Sequence, residues 1–447
     1  MPTQEPKVQQ ISERNFSERN NHTADGSECP RLFDVLARQI VASPLLLSFH
    51  AETSARGTIF SVTKIMAQNS VQPVQMLDFS RQFAPLREEI LAAIAEVCDS
   101  QRFILGPVVS RFEKEAAVAC GVPFAVGCAS GTDALWLAMA ALDIGPGDTV
   151  VTTPFSFFAS VSSILRCGAT PVLADIDPRT FNLDPNAVRE TSHGRNIRAI
   201  MPVHLYGQCA DMDHIRGLAT EQGSVIVEDA AQAFGATWNG VPAGGLGDTA
   251  AFSFYPTKNL AAFGDAGMVT TRSAALDERM RSLRAHGMKV RYFHEEVGWN
   301  SRLDSMQAAV LQVKLRYVDA GNRRRRELAA RYDGLFQAAG LAATLTAEGI
   351  VLPFTDPRAE HIFHQYVIRA PRRDDLRAFL SERQIGSEIY YPLPLHLQDA
   401  LLSLGYQAGD FPESERAAAE VLALPMYPEL REDEQDIVVD AIRSFYK

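Results

Sequence analysis

Six short apolar runs, spaced as strand–helix units require, constrain this chain more than any other feature. They are Phe124-Ala-Val126, Val150-Val-Thr-Thr153, Pro171-Val-Leu-Ala-Asp-Ile176, Ala199-Ile-Met-Pro-Val203, Val225-Ile-Val227 and Ala250-Ala-Phe-Ser-Phe254. Several lack polar alternation, as expected of strands covered on both faces. Helix-patterned segments such as Thr132–Leu142 and Phe158–Arg166 lie between them. A strand that must be buried on both faces needs helices above and below it, so the pattern predicts a three-layer α/β domain with a largely parallel sheet.

Upstream, apolar residues at Leu86, Ile90, Ile94 and Val97 recur three or four apart and predict a helix. After about residue 275 the texture changes to helices at Leu303–Leu315, Arg323–Ala338, Asp374–Arg383 and Glu434–Phe445, with a strand-like His364–Arg369. The expected division is a large α/β domain over 66–275 and a smaller α+β domain over 276–447. Residues 1–65, polar at first and then briefly amphipathic at Leu32, Val35, Leu36 and Ile40, read as a flexible extension or an early-called start. The run Arg323–Arg326 reads as a solvated helix face, because the helical period continues through it into Glu327.

Composition narrows the function classes. The 447 residues carry a net charge of −11, and 1–65 is neutral with seven basic and seven acidic side chains, so the negative balance belongs to the rest. No basic face dominates, which argues against nucleic-acid binding through phosphate neutralisation. The six cysteines show no C-x-x-C and no partnered His spacing, so neither a disulfide framework nor a metal site is expected. The early apolar run Val41–Phe49 is too short to span a bilayer and contains Pro44. A cytoplasmic protein without a membrane anchor is the expectation.

Among the motifs, Gly245-Leu-Gly-Asp-Thr-Ala250 fits the dinucleotide fingerprint formally, but that motif opens a helix, and here a strand-like run follows. Three other stretches share one requirement. Cys128-Ala-Ser-Gly-Thr-Asp-Ala134 follows a strand and opens a helix, where small residues leave backbone N–H groups free for an anion and Thr132 adds a hydroxyl; a plain N-cap is the alternative. Glu228-Asp-Ala-Ala-Gln232 ends a strand, the place where open α/β sheets bind ligands. There Asp229 suits a protonated ring nitrogen, and Gln232 another polar atom of the same ring. Ser253-Phe-Tyr-Pro-Thr-Lys258 leaves a buried-looking strand, and a desolvated lysine is suited to Schiff-base chemistry. A phosphate cup, a carboxylate and a lysine together fit pyridoxal 5′-phosphate. Phe157, after another strand, is placed either to stack on its ring or to fill the core.

These residues resemble the DegT/StrS type of nucleotide-sugar aminotransferases, fold-type I pyridoxal-phosphate enzymes. The resemblance runs from Met76 to Tyr446 through seven ordered blocks, among them Ser130-Gly-Thr-Asp-Ala-Leu, Val203-His-Leu-Tyr-Gly-Gln208, Gly298-Trp-Asn-Ser-Arg-Leu-Asp304, Tyr391-Pro-Leu-Pro-Leu-His396 and Leu424-Pro-Met-Tyr-Pro. It implies that Lys258 bonds the cofactor aldehyde, Asp229 meets the ring nitrogen, Gln232 the ring hydroxyl, and Phe157 the ring face. It gives the phosphate to Gly131, Thr132 and Ser253, with Asn300 added across a homodimer interface. Glutamate is the implied amino donor and a nucleotide-linked keto sugar the acceptor. The form of Lys289–His294 and Asn300–Asp304 looks more like members acting on 3-keto than on 4-keto sugars. Arg302, His294, Tyr391 and His396 are candidates for substrate contacts. One branch of the family, the dehydratases, carries histidine in place of the lysine, so Lys258 favours transamination. A dehydratase, an amino-ring synthase or a regulatory protein of the same fold are the alternatives.

Overall fold

In the computed structural model of the chain, residues 73–345 and 349–447 are described; the expected extension over 1–65 lies outside them. Seven strands form the main sheet: β1 Phe124–Cys128, β2 Thr149–Thr152, β3 Thr170–Leu173, β4 Ala199–Ile200, β5 Val225–Asp229, β8 Thr249–Ser253 and β9 Gly267–Thr271, with a small hairpin of β6 Thr237–Trp238 and β7 Val241–Pro242 between β5 and β8. The order is β1-β9-β8-β5-β4-β2-β3. Only β9 runs antiparallel to its neighbours. The other adjacent pairs are parallel, as continuous apolar runs separated by helices require.

All six expected strands are present, most shifted by a residue or two. β9 is the strand the pattern missed. Its sequence, Gly-Met-Val-Thr-Thr, offers one short apolar pair after a glycine-containing loop, yet all five residues are buried. Its two threonines are satisfied there, Thr270 donating to the Gly244 carbonyl and Thr271 to that of Asp248, each at 2.8 Å.

The helix Gly131–Ala141 is buried nearly all round and packs on β8 and β9. Helix Ala274–Leu283 returns to the same sheet, its Met280 and Leu283 joining Val126 and Val269 in one core. Helix Ser305–Leu315 packs against helices Arg87–Ser100 and Pro107–Ala119. A second, four-stranded sheet opens after these helices, ordered Ala342–Ala343, Ile350–Val351, Tyr366–Arg369, Val421–Leu424. Helices Val318–Ala338, Arg373–Glu382 and Glu432–Phe445 supply its core through Tyr332, Phe336, Leu376, Leu380, Val438 and Ile442.

The arginine run needs a correction. Arg323 is exposed, and Arg324 and Arg326 pair with Glu327 and Glu360. Arg325 is only 3% exposed and donates from Nη1 to the carbonyls of Phe363, His364 and Met426. Asn322, Arg325, Ala329, Tyr332 and Phe336 fall three and four apart, so the buried stripe of the helix passes through the run.

The glycine-rich stretch before β8 binds a carboxylate of this chain. Gly244, Leu246 and Gly247 donate their N–H groups to Glu228 at 2.9, 2.8 and 2.7 Å. His204 adds Nε2 at 3.0 Å; its Nδ1 accepts from the Ala210 N–H, so the proton sits on Nε2. A fully buried carboxylate with four donors is satisfied, and it locks the strand that carries the next residue, Asp229.

Candidate active site

The site gathers at the carboxyl ends of β1, β5 and β8. Successive residues of a strand point to opposite faces. Glu228 therefore turns toward the glycine stretch, while Asp229 turns toward the helix Ala159–Arg166, where Ser160 donates its hydroxyl to Oδ2 at 2.7 Å. The Ala231 N–H reaches Oδ1 at 3.3 Å. Burial pushes the Asp229 carboxyl above its ordinary value, while the Ser160 hydroxyl, the Ala231 amide and Lys258 oppose that shift. A buried carboxylate under this pressure is stabilised by a cationic N–H partner.

Lys258 follows β8 through the turn in which its N–H donates to the Tyr255 carbonyl. Among the described residues no hydrogen bond or ion pair holds its amine. The side chain keeps a little contact with solvent, but packed protein atoms surround it, and desolvation lowers it from 10.5 to about 8 against the attraction of Asp229. Near neutral pH a useful fraction is therefore the free amine.

The helix Gly131–Ala141 begins beside them. Ser130 caps it by accepting from the Asp133 N–H. A Cβ on Gly131 would come within 2.6 Å of the Ser253 Cβ, and one on Gly267 within 2.2 Å of the Ser130 carbonyl oxygen. Glycine at both positions thus lets β8, β9 and the helix start close on one another, placing Gly131 and Ser253 side by side with Thr132 next in the first turn. Helix N–H groups and two hydroxyl residues make a cup for a phosphate.

Gln232 is held at both ends of its amide, with Oε1 accepting from the Tyr206 N–H at 2.7 Å and Nε2 donating to the Tyr391 hydroxyl at 2.7 Å. Phe157 precedes the Ser160 helix and is 62% exposed, whereas Phe155 is fully buried, so of the two rings Phe157 has a face free. These residues fit pyridoxal phosphate: a lysine without a polar partner, a buried carboxylate favouring a cation, and a glycine-opened helix start all find what they lack in that molecule.

The other candidates come from later segments of the chain. Asn300 is exposed and bridges backbone to Ala285. Arg302, between the buried Ser301 and Leu303, has a buried Nε with no hydrogen bond among the described residues. His294 is exposed on a two-residue strand, its Nδ1 at 2.8 Å from the His286 carbonyl. His396 is 0% exposed, 3.0 Å from Glu415 and edge-on to Phe411, so its ring is enclosed by protein.

Sequence reasoning did not find Ser160, His204 or His364. His364 is buried near Lys258 with Nδ1 at 3.1 Å from Asn259 Oδ1, and burial together with the nearby Lys258 and Arg325 holds it well below its ordinary value. The only local signal for Ser160 is a serine between buried positions on an amphipathic helix, which is common.

A lysine and a carboxylate set at the strand ends of such a sheet, beside a glycine-opened helix, define a fold-type I pyridoxal-phosphate transferase. The sequence pattern of the DegT/DnrJ/EryC1/StrS aminotransferase family matches residues 85–443, and the chain belongs to that family. It is 49% identical over 374 residues to the "Pleiotropic regulatory protein" of Geobacillus stearothermophilus, covering 84% of this chain and 99% of that one. It is 45% identical over 372 residues to a dTDP-3-amino-3,4,6-trideoxy-alpha-D-glucose transaminase of Streptomyces venezuelae, covering 83% and 96%. Among solved structures, S. venezuelae DesV in complex with a ketimine intermediate superposes with a TM-score of 0.80 at 44% identity, covering 84% of this chain and 99% of that one. NtdA of Bacillus subtilis with its bound cofactor PMP gives 0.72 at 31% identity, covering 79% and 80%. The chain is a pyridoxal-phosphate-dependent sugar aminotransferase.

Proposed function

We propose that this enzyme moves the amino group of glutamate to C3 of a nucleotide-linked 3-keto sugar, as a homodimer in the cytoplasm. The observation that carries the transamination is Lys258, enclosed near Asp229 with its proton affinity lowered to about 8 and, among the described residues, no hydrogen bond or ion pair on its amine. The C3 position draws on the form of Asn300–Asp304 and on the transaminase relative, whose product name carries a 3-amino group. The dimer draws on exposed apolar side chains, Tyr255 and Phe263 close to Lys258 in sequence and Tyr292 and Phe293 on the hairpin that carries His294. The compartment draws on the five described cysteines, all unpaired.

When bound, pyridoxal phosphate supplies an electron sink for the carbanion formed when an amine-bearing carbon loses its proton. Lys258 would hold the cofactor through its aldehyde. As a free amine its Nζ has the proton affinity of a general base and would move a proton away from the donor carbon and back to the acceptor carbon. Asp229, steadied by Ser160, holds the proton on the ring nitrogen. Gly131, Thr132 and Ser253 would bind the phosphate, with Asn300 joining across the dimer, and Phe157 would orient the ring. Arg302 and His294 reach the substrate from the same arm as Asn300, while Tyr391 borders it through Gln232.

A regulatory role has in its favour the names of some relatives, among them the 49% identical one. The intact Lys258, Asp229 and Gln232 set favours turnover. Incubation with glutamate and a panel of nucleotide-linked 3-keto and 4-keto sugars, read by product mass and NMR, separates the readings. A 3-amino sugar is expected. Amination at C4, or only of a ketone without a nucleotide, overturns the substrate assignment, and no amination of any ketone overturns the transfer itself.

A further inference from the structure

Two aromatic residues far apart in sequence converge on Gln232 with unusual backbones. Tyr206 has φ +57° and Tyr391 φ +59°, the left-handed region that bulky residues rarely adopt. At Tyr206 this turns the backbone N–H inward onto Gln232 Oε1 at 2.7 Å. A backbone N–H only donates, so the amide oxygen must lie on that side and Nε2 on the other. Nε2 carries two hydrogens, and one goes to the Tyr391 hydroxyl at 2.7 Å. The other is free to donate. Tyr391 is itself fixed, its ring edge-on to the fully buried Phe155 at 5.7 Å.

We propose that Tyr391 is a positioning residue for Gln232: by accepting one amide hydrogen it aims the second at the hydroxyl oxygen of the cofactor ring, so that this oxygen always meets a donor. Gln232 then stabilises the oxygen in its anionic form. An external donor there competes with the neighbouring protonated imine nitrogen for the same oxygen and lowers the proton affinity of that nitrogen. The inference rests on the cofactor reading and adds a role for Tyr391 that is separate from any substrate contact.

The test uses the full chain reconstituted with pyridoxal phosphate and no substrate, following the visible band of the lysine-bound cofactor against pH. Tyr391→Phe is expected to move the titration midpoint upward by about half a pH unit, about a threefold rise in proton affinity. Gln232→Leu should move it further in the same direction, and the double variant should match Gln232→Leu alone, because Tyr391 acts through the amide. A midpoint unchanged in Tyr391→Phe, or shifts that add in the double variant, overturns the proposal. Should Tyr391→Phe bind no cofactor, Tyr391→His, which keeps a polar ring atom, is expected to restore binding with a midpoint nearer the wild type; no restoration counts against the proposal. Failure of wild type to form the band would instead strike the cofactor reading.

Discussion

Ser301 donates its hydroxyl to Asp133 Oδ2 at 2.9 Å, which ties the segment bearing Asn300 and Arg302 to the first turn of the helix that forms the phosphate cup. Arg166 reaches the other oxygen of Asp133 at 2.6 Å and lies over the rings of Trp136 and Trp299, which themselves meet edge-on. Asn300 is thus anchored at its own subunit's cup while its side chain faces outward. In the proposed dimer, the fastening at one phosphate site would also set the arm that completes the other.

Ser301→Ala removes the hydrogen bond to Asp133, worth about 1 kcal/mol, together with the long one that the hydroxyl accepts from the Ala129 N–H at 3.5 Å. The dissociation constant for pyridoxal phosphate should rise about fivefold, measured by equilibrium titration of the absorbance of the bound cofactor. An unchanged constant would show that the arm is held without Ser301.

Ser160→Ala takes from Asp229 the shorter of its two hydrogen bonds. The carboxyl, already raised by burial, should hold its proton more tightly and serve the ring nitrogen less well. Cofactor loss on dialysis should become faster, by about tenfold, and kcat should fall more than KM rises. Equal cofactor retention in the variant and wild type would mean that Ser160 only packs.

The sheet was legible because burial on both faces leaves unbroken apolar runs, and β9 was not, because Gly267–Thr271 hides its two hydroxyls in hydrogen bonds that no pattern displays. The placement of Lys258, Asp229 and Gln232 at or just past strand ends was legible because each follows an apolar run. Ser160 and Tyr206 were not: one acts through a partner 69 residues away, and the other through a backbone N–H turned by a left-handed dihedral. Arg325 shows the converse error, a charged run taken as solvated although the helical stripe that runs through Leu328 and Tyr332 buries it.

Desolvation gives Lys258 a proton affinity of about 8 in place of 10.5. A lowered value leaves the amine neutral above pH 8, so its reactivity should rise as pH climbs through that point and level off beyond it. Residue-resolved amine labelling of the cofactor-free protein, read by mass spectrometry, should show this midpoint at Lys258 and, for the same reason of burial, at Lys314. Labelling of Lys258 that rises only near pH 10 would refute the desolvated setting.

Glu228 has four donors and no contact with solvent. Glu228→Ala strands three backbone N–H groups and His204 in the interior, at a cost of roughly 3 kcal/mol or more. The urea midpoint should fall substantially, and Glu228→Gln should fall less because it keeps an acceptor. Equal midpoints for wild type and Glu228→Ala would contradict the account of the glycine stretch as a carboxylate nest.

The central claim is that Lys258 is the residue that bonds the cofactor. Reduction of the pyridoxal phosphate-loaded protein with borohydride, followed by peptide mass mapping, tests it directly. The account predicts one phosphopyridoxyl group per chain on the peptide containing Lys258, absent when glutamate is added before the reductant. Attachment at Lys314 or another lysine, or no attachment in a protein that retains its fold, would contradict it.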